Sequence, residues 1–244
     1  MKVPVCLMTY ERPQYFEPSF NSLLKTDLSL MRELVIFDDH SKTPEKIKQI
    51  EETKKKGFQV RVADRWGGTK YMFLDMLRYA FQENTDNEAM VLIQDDIVYN
   101  SQWLNKLIEV FPKVPKLGIL TCWDRKRYGK SFTAPDWTYR NPAHEGKDCR
   151  MGGACWLVTK ALGLSIINKK EHFIRSCGYD SAFQRRSFYN GFNNATTVPS
   201  YVQHFGRDSI AHIGRSRGTA HNAWNFIGSS YIDENNQEKF YDKK

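Results

Sequence analysis

The chain has 244 residues, of which 41% are apolar and 14% aromatic, enough to build a substantial core and too much for an intrinsically disordered chain. Its 36 Lys and Arg against 28 Asp and Glu give a formal net charge of +8, which favours anionic partners: nucleic acid, anionic lipid or phosphorylated ligands. No apolar run approaches ~18 residues, so no spanning helix is expected. The five cysteines lack C-x-x-C spacing and the N-terminal stretch lacks a long apolar signal core, so the expectation is a cytoplasmic protein with reduced thiols.

In chain order, Val3 to Met8 is a short apolar run that reads as a strand. Pro13 opens a helical pattern through Phe16, Phe20, Leu23 and Leu24. Leu34-Val35-Ile36-Phe37 is a second strand that ends in Asp38-Asp39. Thr43-Pro44 is a helix start, with a cap residue followed by Pro at the first helical position. That helix stops at Gly57, after the dipole-complementing Lys54-Lys55-Lys56. Phe58 to Ala63 alternates as a third strand, and Met72, Phe73, Met76, Leu77, Ala80 and Phe81 recur at helical spacing. Met90 to Gln94 is a fourth strand, followed by a helix through Trp103, Leu104, Leu107 and Ile108. This alternation predicts an α/β fold of βαβ units with a mostly parallel sheet.

The second half is less regular. Leu117 to Thr121, Gly153 to Val158 and Val198 to Phe205 read as strands, with helices after Lys160 and over Asp180 to Phe188. Residues 124–150, rich in Lys, Arg, Asp, Pro and Gly, read as a long loop or hairpin. The segment from Asn235 is polar and reads as loosely ordered. One domain over 1–244 is the simplest partition, with a nucleotide-binding half (1–115) and an acceptor-side half (116–244) carrying a basic C-terminal segment.

The stretch that carries most information is Met90-Val91-Leu92-Ile93-Gln94-Asp95-Asp96-Ile97. A buried strand ends abruptly in two carboxylates, at the edge of an α/β sheet where ligands bind. Adjacent anions repel, and a cation or donor hydrogen bonds would relieve the cost. A hard divalent ion holding a phosphate is one arrangement that does so. Strand side chains alternate in direction, so both carboxylates reach one ligand only if the strand has already ended. Asp38-Asp39 repeats the feature at the end of a neighbouring strand, although either pair could be an ordinary turn or helix cap.

The order of these features resembles GT-A glycosyltransferases of the broad family 2 kind. The resemblance rests on Thr9-Tyr10-Glu11-Arg12-Pro13 after the first strand, Asp38-Asp39-His40-Ser41 after the second, and the turn Arg65-Trp66-Gly67-Gly68-Thr69-Lys70. It continues through the D-x-D-like Gln94-Asp95-Asp96, the small-residue strand Gly152-Gly153-Ala154-Cys155-Trp156, Gly178-Tyr179-Asp180 and Val202-Gln203-His204. It spans about residues 3–215. Gln94 departs from the pattern, standing where a strict D-x-D has its first acid.

The resemblance implies a GT-A, Rossmann-like sheet flanked by helices, with an irregular acceptor-side region. It implies a nucleotide-sugar donor, UDP-linked by expectation, and Mn2+ or Mg2+ as cofactor. Asp96 would be a metal ligand, with His204 a second, while Asp95 lies toward the donor ribose or sugar and Gln94 stays outside the coordination shell. Thr9, Tyr10 and Arg12 would line the nucleotide pocket, and Asp38 or Asp39 would bond base or ribose. Arg65, Lys70 and Arg215 would contact nucleotide or phosphates; Arg215, with Arg207, Arg217, His212 and His221, would either close over the diphosphate as a basic lid or contact a polyanionic acceptor. Asp180 would be the general base of an inverting enzyme; in a retaining one its role changes.

For the acceptor, the absence of an expected membrane anchor and the basic charge lead to a polyanion, for instance a hydroxymethylated base in bacteriophage DNA. Such a base would have to leave the stack. Arg125, Lys126, Arg127 and Lys130, interleaved with Trp123, Tyr128, Trp137 and Tyr139, suit backbone contact and stacking, and equally a sugar acceptor. The rival readings are a bacterial enzyme acting on a cell-surface or lipid-linked oligosaccharide, a non-catalytic nucleic-acid-binding protein, and a phosphotransfer domain, whose compact pattern the long C-terminal half does not fit.

Overall fold

The first half alternates as the sequence predicts: β1 (Val3–Thr9), α1 (Pro13–Leu24), β2 (Met31–Asp38), α2 (Pro44–Lys55), β3 (Gln59–Val62), α3 (Thr69–Arg78) and β4 (Ala89–Gln94). There follow β5 (Ile97–Tyr99), α4 (Trp103–Val110), β6 (Leu117–Thr121), β7 (Trp137–Tyr139), β8 (Cys155–Thr159), α5 (Lys160–Ile167), α6 (Tyr179–Tyr189), β9 (Asn193–Thr197) and β10 (Val202–His204). A hairpin of β11 (Ser230–Ile232) and β12 (Glu238–Phe240) lies near the C-terminus. The structure is a computed structural model that describes residues 1–123, 136–140, 151–170, 179–206, 226, 230–232 and 238–240.

Eight strands form one sheet in the order β3-β2-β1-β4-β8-β6-β9-β7. The β3-β2-β1-β4 half is parallel. β8 runs antiparallel to both β4 and β6, β9 is parallel to β6, and β7 closes the edge antiparallel to β9. The period-two alternation of β1 and β4 divides the core. Val5, Leu7, Val91 and Ile93 pack on the face covered by α1, α2 and α4, through Phe16, Phe20, Ile50, Trp103 and Leu107. Cys6, Met8, Met90 and Leu92 pack on the opposite face, through Phe73, Leu77, Leu162, Ile166 and Phe183 of α3, α5 and α6. The result is a three-layer α/β/α arrangement whose parallel strands end together at one edge.

Two expectations change, and one strand is added. Val198 to Phe205 is not one strand: Pro199 cannot donate to a ladder, and only Val202–His204 is a strand. That strand pairs with β5, placing His204 opposite Ile97, rather than joining the main sheet. Within the expected long loop, Trp137–Tyr139 is an edge strand; residues 124–135 and 141–150 lie outside the described residues. Asn193–Thr197, which the sequence reading does not pick out, is a largely buried strand.

Candidate active site

The parallel register of β1 and β4 sets Met8 beside Gln94, so the chain leaving β1 runs alongside the Asp95-Asp96 turn. Thr9 Oγ1 donates to Asp95 Oδ2 at 2.5 Å. Glu11 and Arg12 both take left-handed backbone, at φ 48° and 50°, a conformation that costs a non-glycine residue energy and clusters at functional sites. This bend brings the Arg12 side chain back over the sheet edge. Its Nη2 donates to Asp95 Oδ1 at 2.6 Å and its Nη1 to Asp96 Oδ2 at 3.0 Å. One guanidinium fork therefore spans two adjacent carboxylates. The strand ends at Gln94, so the alternation that would have separated Asp95 from Asp96 no longer applies.

The bend is held from outside. Glu11 Oε1 accepts from the Lys42 amide at 2.7 Å, and Oε2 accepts from the Thr43 amide at 3.1 Å and hydroxyl at 2.6 Å. Glu11 thereby caps α2, in place of the Thr43 side chain, which makes no capping bond. The Ser41 hydroxyl accepts from the Glu11 amide at 2.8 Å and donates to Asp38 Oδ1 at 2.5 Å. The loops after β1 and β2 are thus cross-linked.

A second cation lies beneath Asp95. Lys46 is fully buried on α2, with its Nζ 4.0 Å from Asp95 Oδ2 and 3.8 Å from the centroid of the Phe16 ring, a cation–π geometry. Its Nζ has no hydrogen-bond partner among the described residues. Burial pushes the Lys46 ammonium down to about 8, against the pull of Asp95 and Asp38. The two aspartates are driven apart. For Asp95, burial outweighs Arg12 and Lys46 and raises the carboxyl. For Asp96, burial is overcome by His204 and Arg12, which hold it well below the usual carboxylate range. Divergent environments of this kind are a mark of functional carboxylate pairs.

His204 arrives through the β5–β10 ladder. Its Nε2 is 3.3 Å from Asp96 Oδ2, its ring lies 6.0 Å from that of Trp123, and the next amide, Phe205, donates to the Asp96 carbonyl at 3.0 Å. The backbone at Gly206 presses on the same carboxylate: a Cβ there would lie 2.2 Å from Asp96 Oδ2. Asp96 Oδ1 is buried and has no hydrogen-bond partner among the described residues. Among the described residues no group of three His, Cys, Asp or Glu is arranged to hold a metal ion by itself. The Asp96 oxygen and the His204 nitrogen nevertheless fit part of a divalent coordination sphere of the kind that substrate phosphates and water complete.

The span of residues 5–189 matches the family model described as glycosyl transferase family 2. The chain belongs to glycosyl transferase family 2. No curated protein sequence matches it. Among solved structures it is similar to S. aureus TarS 1-349 in complex with UDP-GlcNAc, at 17% identity and TM-score 0.61, covering 86% of this chain and 60% of that one. It is similar to the longer S. aureus TarS structure at 17% identity and TM-score 0.60, covering 85% of this chain and 37% of that one. The mannosyltransferase PcManGT from Pyrobaculum calidifontis, in complex with GDP-Man and Mn2+, matches at 16% identity and TM-score 0.53, with 81% and 55% covered. The chain thus spans less than two thirds of the length of each of these proteins, and the similarity is one of fold.

In this family 2 chain, Thr9, Arg12, Asp95, Asp96 and His204 come together. Asp38 and Asp39 face different tasks. Both Asp38 oxygens are taken by the Ser41 amide and hydroxyl. Both Asp39 oxygens are taken by the amides of Gly67 and Gly68, at 2.9 and 2.7 Å, which anchors the turn into α3. Tyr10 is partly buried, its ring 6.5 Å from that of Trp66. Arg65 is exposed on that same turn, and Lys70 is partly buried in the first turn of α3. Asp180 lies near the start of α6, where its Oδ1 accepts from the Ser181 amide at 2.7 Å. Arg215 and its basic neighbours from 207 to 221 lie outside the described residues, as do Arg125, Lys126, Arg127, Tyr128 and Lys130.

Lys46, Glu11 and Ser41 are the members that sequence reasoning missed. Lys46 had a signal: with Ile50 and Thr53 it forms the buried i, i+4, i+7 stripe of α2, which a lysine joins only when paired. Glu11 and Ser41 stand inside the two quoted motifs, but their partnership across thirty residues has no local signature.

Proposed function

We propose that this protein is a metal-dependent, inverting glycosyltransferase that moves a sugar, a hexose or pentose, from a nucleotide diphosphate donor, UDP-linked by preference, to a hydroxyl acceptor. The observation that carries the reading is the Thr9–Arg12–Asp95–Asp96–His204 cluster at the carboxyl ends of β1 and β4 in a family 2 chain. Residues 1–115 form the nucleotide side and 116–244 the acceptor side of one unit. The donor preference is supported by the UDP-GlcNAc complex of a similar fold, and the metal by the Mn2+ in another.

Asp96 and His204 would hold Mn2+ or Mg2+, which supplies Lewis-acid stabilisation of a departing diphosphate. Arg12 is then available to exchange a carboxylate for phosphate oxygen, which its planar fork suits equally. Tyr10, Asp38 or Asp39, Arg65 and Lys70 surround the nucleotide, and Arg215 is assigned to the phosphates. Asp180 takes the acceptor hydroxyl proton as that oxygen bonds to the anomeric carbon. The anomeric carbon–diphosphate bond breaks with its electron pair leaving on the diphosphate.

For the acceptor we propose a polyanion, with nucleic acid the first candidate, supported by the net charge of +8. Filter binding of DNA with a steep salt dependence supports that choice; binding that is absent or indifferent to salt sinks it, and transfer to lipid-linked sugars then becomes the reading to test. The donor side is tested by incubation with a panel of nucleotide sugars and Mn2+ or Mg2+, scoring donor hydrolysis and thermal shift. No response to any donor overturns it.

A further inference from the structure

Gln94 is the residue at which the D-x-D-like element departs from its pattern, and its side chain points away from the carboxylates it precedes. Alternation along β4 sends Met90, Leu92 and then Gln94 toward the face of α3, α5 and α6. There Gln94 Nε2 donates to the phenol oxygen of Tyr179 at 2.5 Å. The Tyr179 hydroxyl donates in turn to the Gly153 carbonyl at 2.7 Å. The Gln94 amide donates to the next carbonyl, that of Ala154, at 3.0 Å. Gln94 is therefore tied by both backbone and side chain to the 153–154 segment and to the start of α6.

We propose that Gln94 and Tyr179 form a strut that sets the position of Asp180, one residue along α6, relative to Asp95 and Asp96, one and two residues beyond Gln94. The inference rests on the reading of Asp180 as the group that takes the acceptor proton; both strut members are positioning residues.

The chemistry explains the glutamine. The Tyr179 hydroxyl spends its proton on Gly153, so its oxygen can only accept, and the residue at 94 must donate. A carboxylate there has no proton to give and would add a third negative charge beside Asp95 and Asp96. The far end of the strut is rigid. The Tyr179 ring is packed 5.6 Å from Trp156 and 6.1 Å from Phe73. Gly153 leaves no slack, since a Cβ there would lie 1.9 Å from the Tyr179 hydroxyl. Burial, with the charges of Asp180 and Asp96, raises the Tyr179 phenol well above its usual value. The strut thus stays protonated, and Tyr179 lies within electrostatic reach of both functional carboxylates.

A double-mutant cycle with Gln94→Met and Tyr179→Phe tests the proposal, with Gly153→Ala as a third route to displacing the phenol. Far-UV circular dichroism and thermal unfolding check that each variant is folded. Amide exchange at residues 183–186 reads the strut directly. Each single variant is expected to speed it about tenfold, the scale of one lost buried hydrogen bond, and the double variant no more than either single one. In transfer assays kcat falls 10- to 100-fold while donor KM and nucleotide affinity stay within about twofold, as a displaced base requires. Exchange effects that multiply in the double variant overturn the strut. A raised donor KM with unchanged kcat overturns the positioning of Asp180. If the wild-type chain turns over no nucleotide sugar, the catalytic reading has failed, and the exchange cycle still decides the strut.

Discussion

Replacing Lys46 by methionine keeps the apolar stem and removes the ammonium. A lysine pKa lowered from 10.5 to about 8 corresponds to about 3 kcal/mol of cost to the folded state when the group is charged. Burial outweighs attraction for both Lys46 and its partner Asp95, as is common for ion pairs far from water. Because the folded value is depressed, the folded state sheds its proton first. The contribution of Lys46 to stability is therefore fully present above about pH 10.5 and is lost as the pH falls toward 8. Methionine has no such dependence, and Asp95 keeps Arg12 and Thr9 in the variant. Guanidinium unfolding of both proteins at intervals between pH 7 and 10.5 gives the difference in stability at each pH. The wild type is expected to gain about 3 kcal/mol on Lys46→Met across that interval. A flat difference would show that Lys46 is either solvated or neutral throughout, and would refute its burial as a charged group.

Arg12→Ala strips the bridging cation from Asp95 and Asp96 and is expected to destabilise the fold by about 3–5 kcal/mol, with Arg12→Lys recovering only part because a single ammonium cannot span both carboxylates; equilibrium unfolding checks both, and full rescue by lysine would contradict the fork. Glu11→Ala removes the cap on α2 and the brace on the left-handed bend, costing about 1–2 kcal/mol by the same assay. Burial alone would raise the Glu11 carboxyl, but the Thr43 hydroxyl and the Lys42 and Thr43 amides hold it below its usual value. Its contribution is thus present above about pH 4.5 and fades as the pH falls; acid unfolding curves of wild type and variant should converge at low pH. Asp180→Asn is expected to reduce sugar transfer about 10²- to 10⁴-fold with the melting temperature nearly unchanged, and unimpaired transfer would remove Asp180 from the mechanism.

The parallel half of the sheet was legible because each strand is a short apolar run and each helix an apolar stripe, signals that buried βαβ units impose on any sequence. β9 was not, because the polar side chains of its Asn-Asn-Ala-Thr-Thr are buried against partners outside the strand: Asn194 donates to the Gln184 carbonyl of α6 and Thr197 to that of Pro199. β5 and β10 are three residues each, too short for a periodicity, yet their pairing is what delivers His204 to Asp96. At the site, the two carboxylates announced themselves by ending a strand. The cations that answer them did not, since Arg12 reaches them only through two left-handed residues and Lys46 sits in a helix whose many lysines read as solvated surface. Gln94 looked like a defect in a motif, and in three dimensions it is a hydrogen-bond donor aimed at the opposite face of the sheet.

The most direct measurement is the release of nucleoside diphosphate from UDP- and GDP-sugars with Mn2+ present, by the wild-type chain and by Asp96→Asn side by side. The account predicts diphosphate from at least one donor with the wild type and its loss in the variant, while the variant remains folded. Release that is equal in the two proteins, or absent from every donor with the wild type, would contradict it.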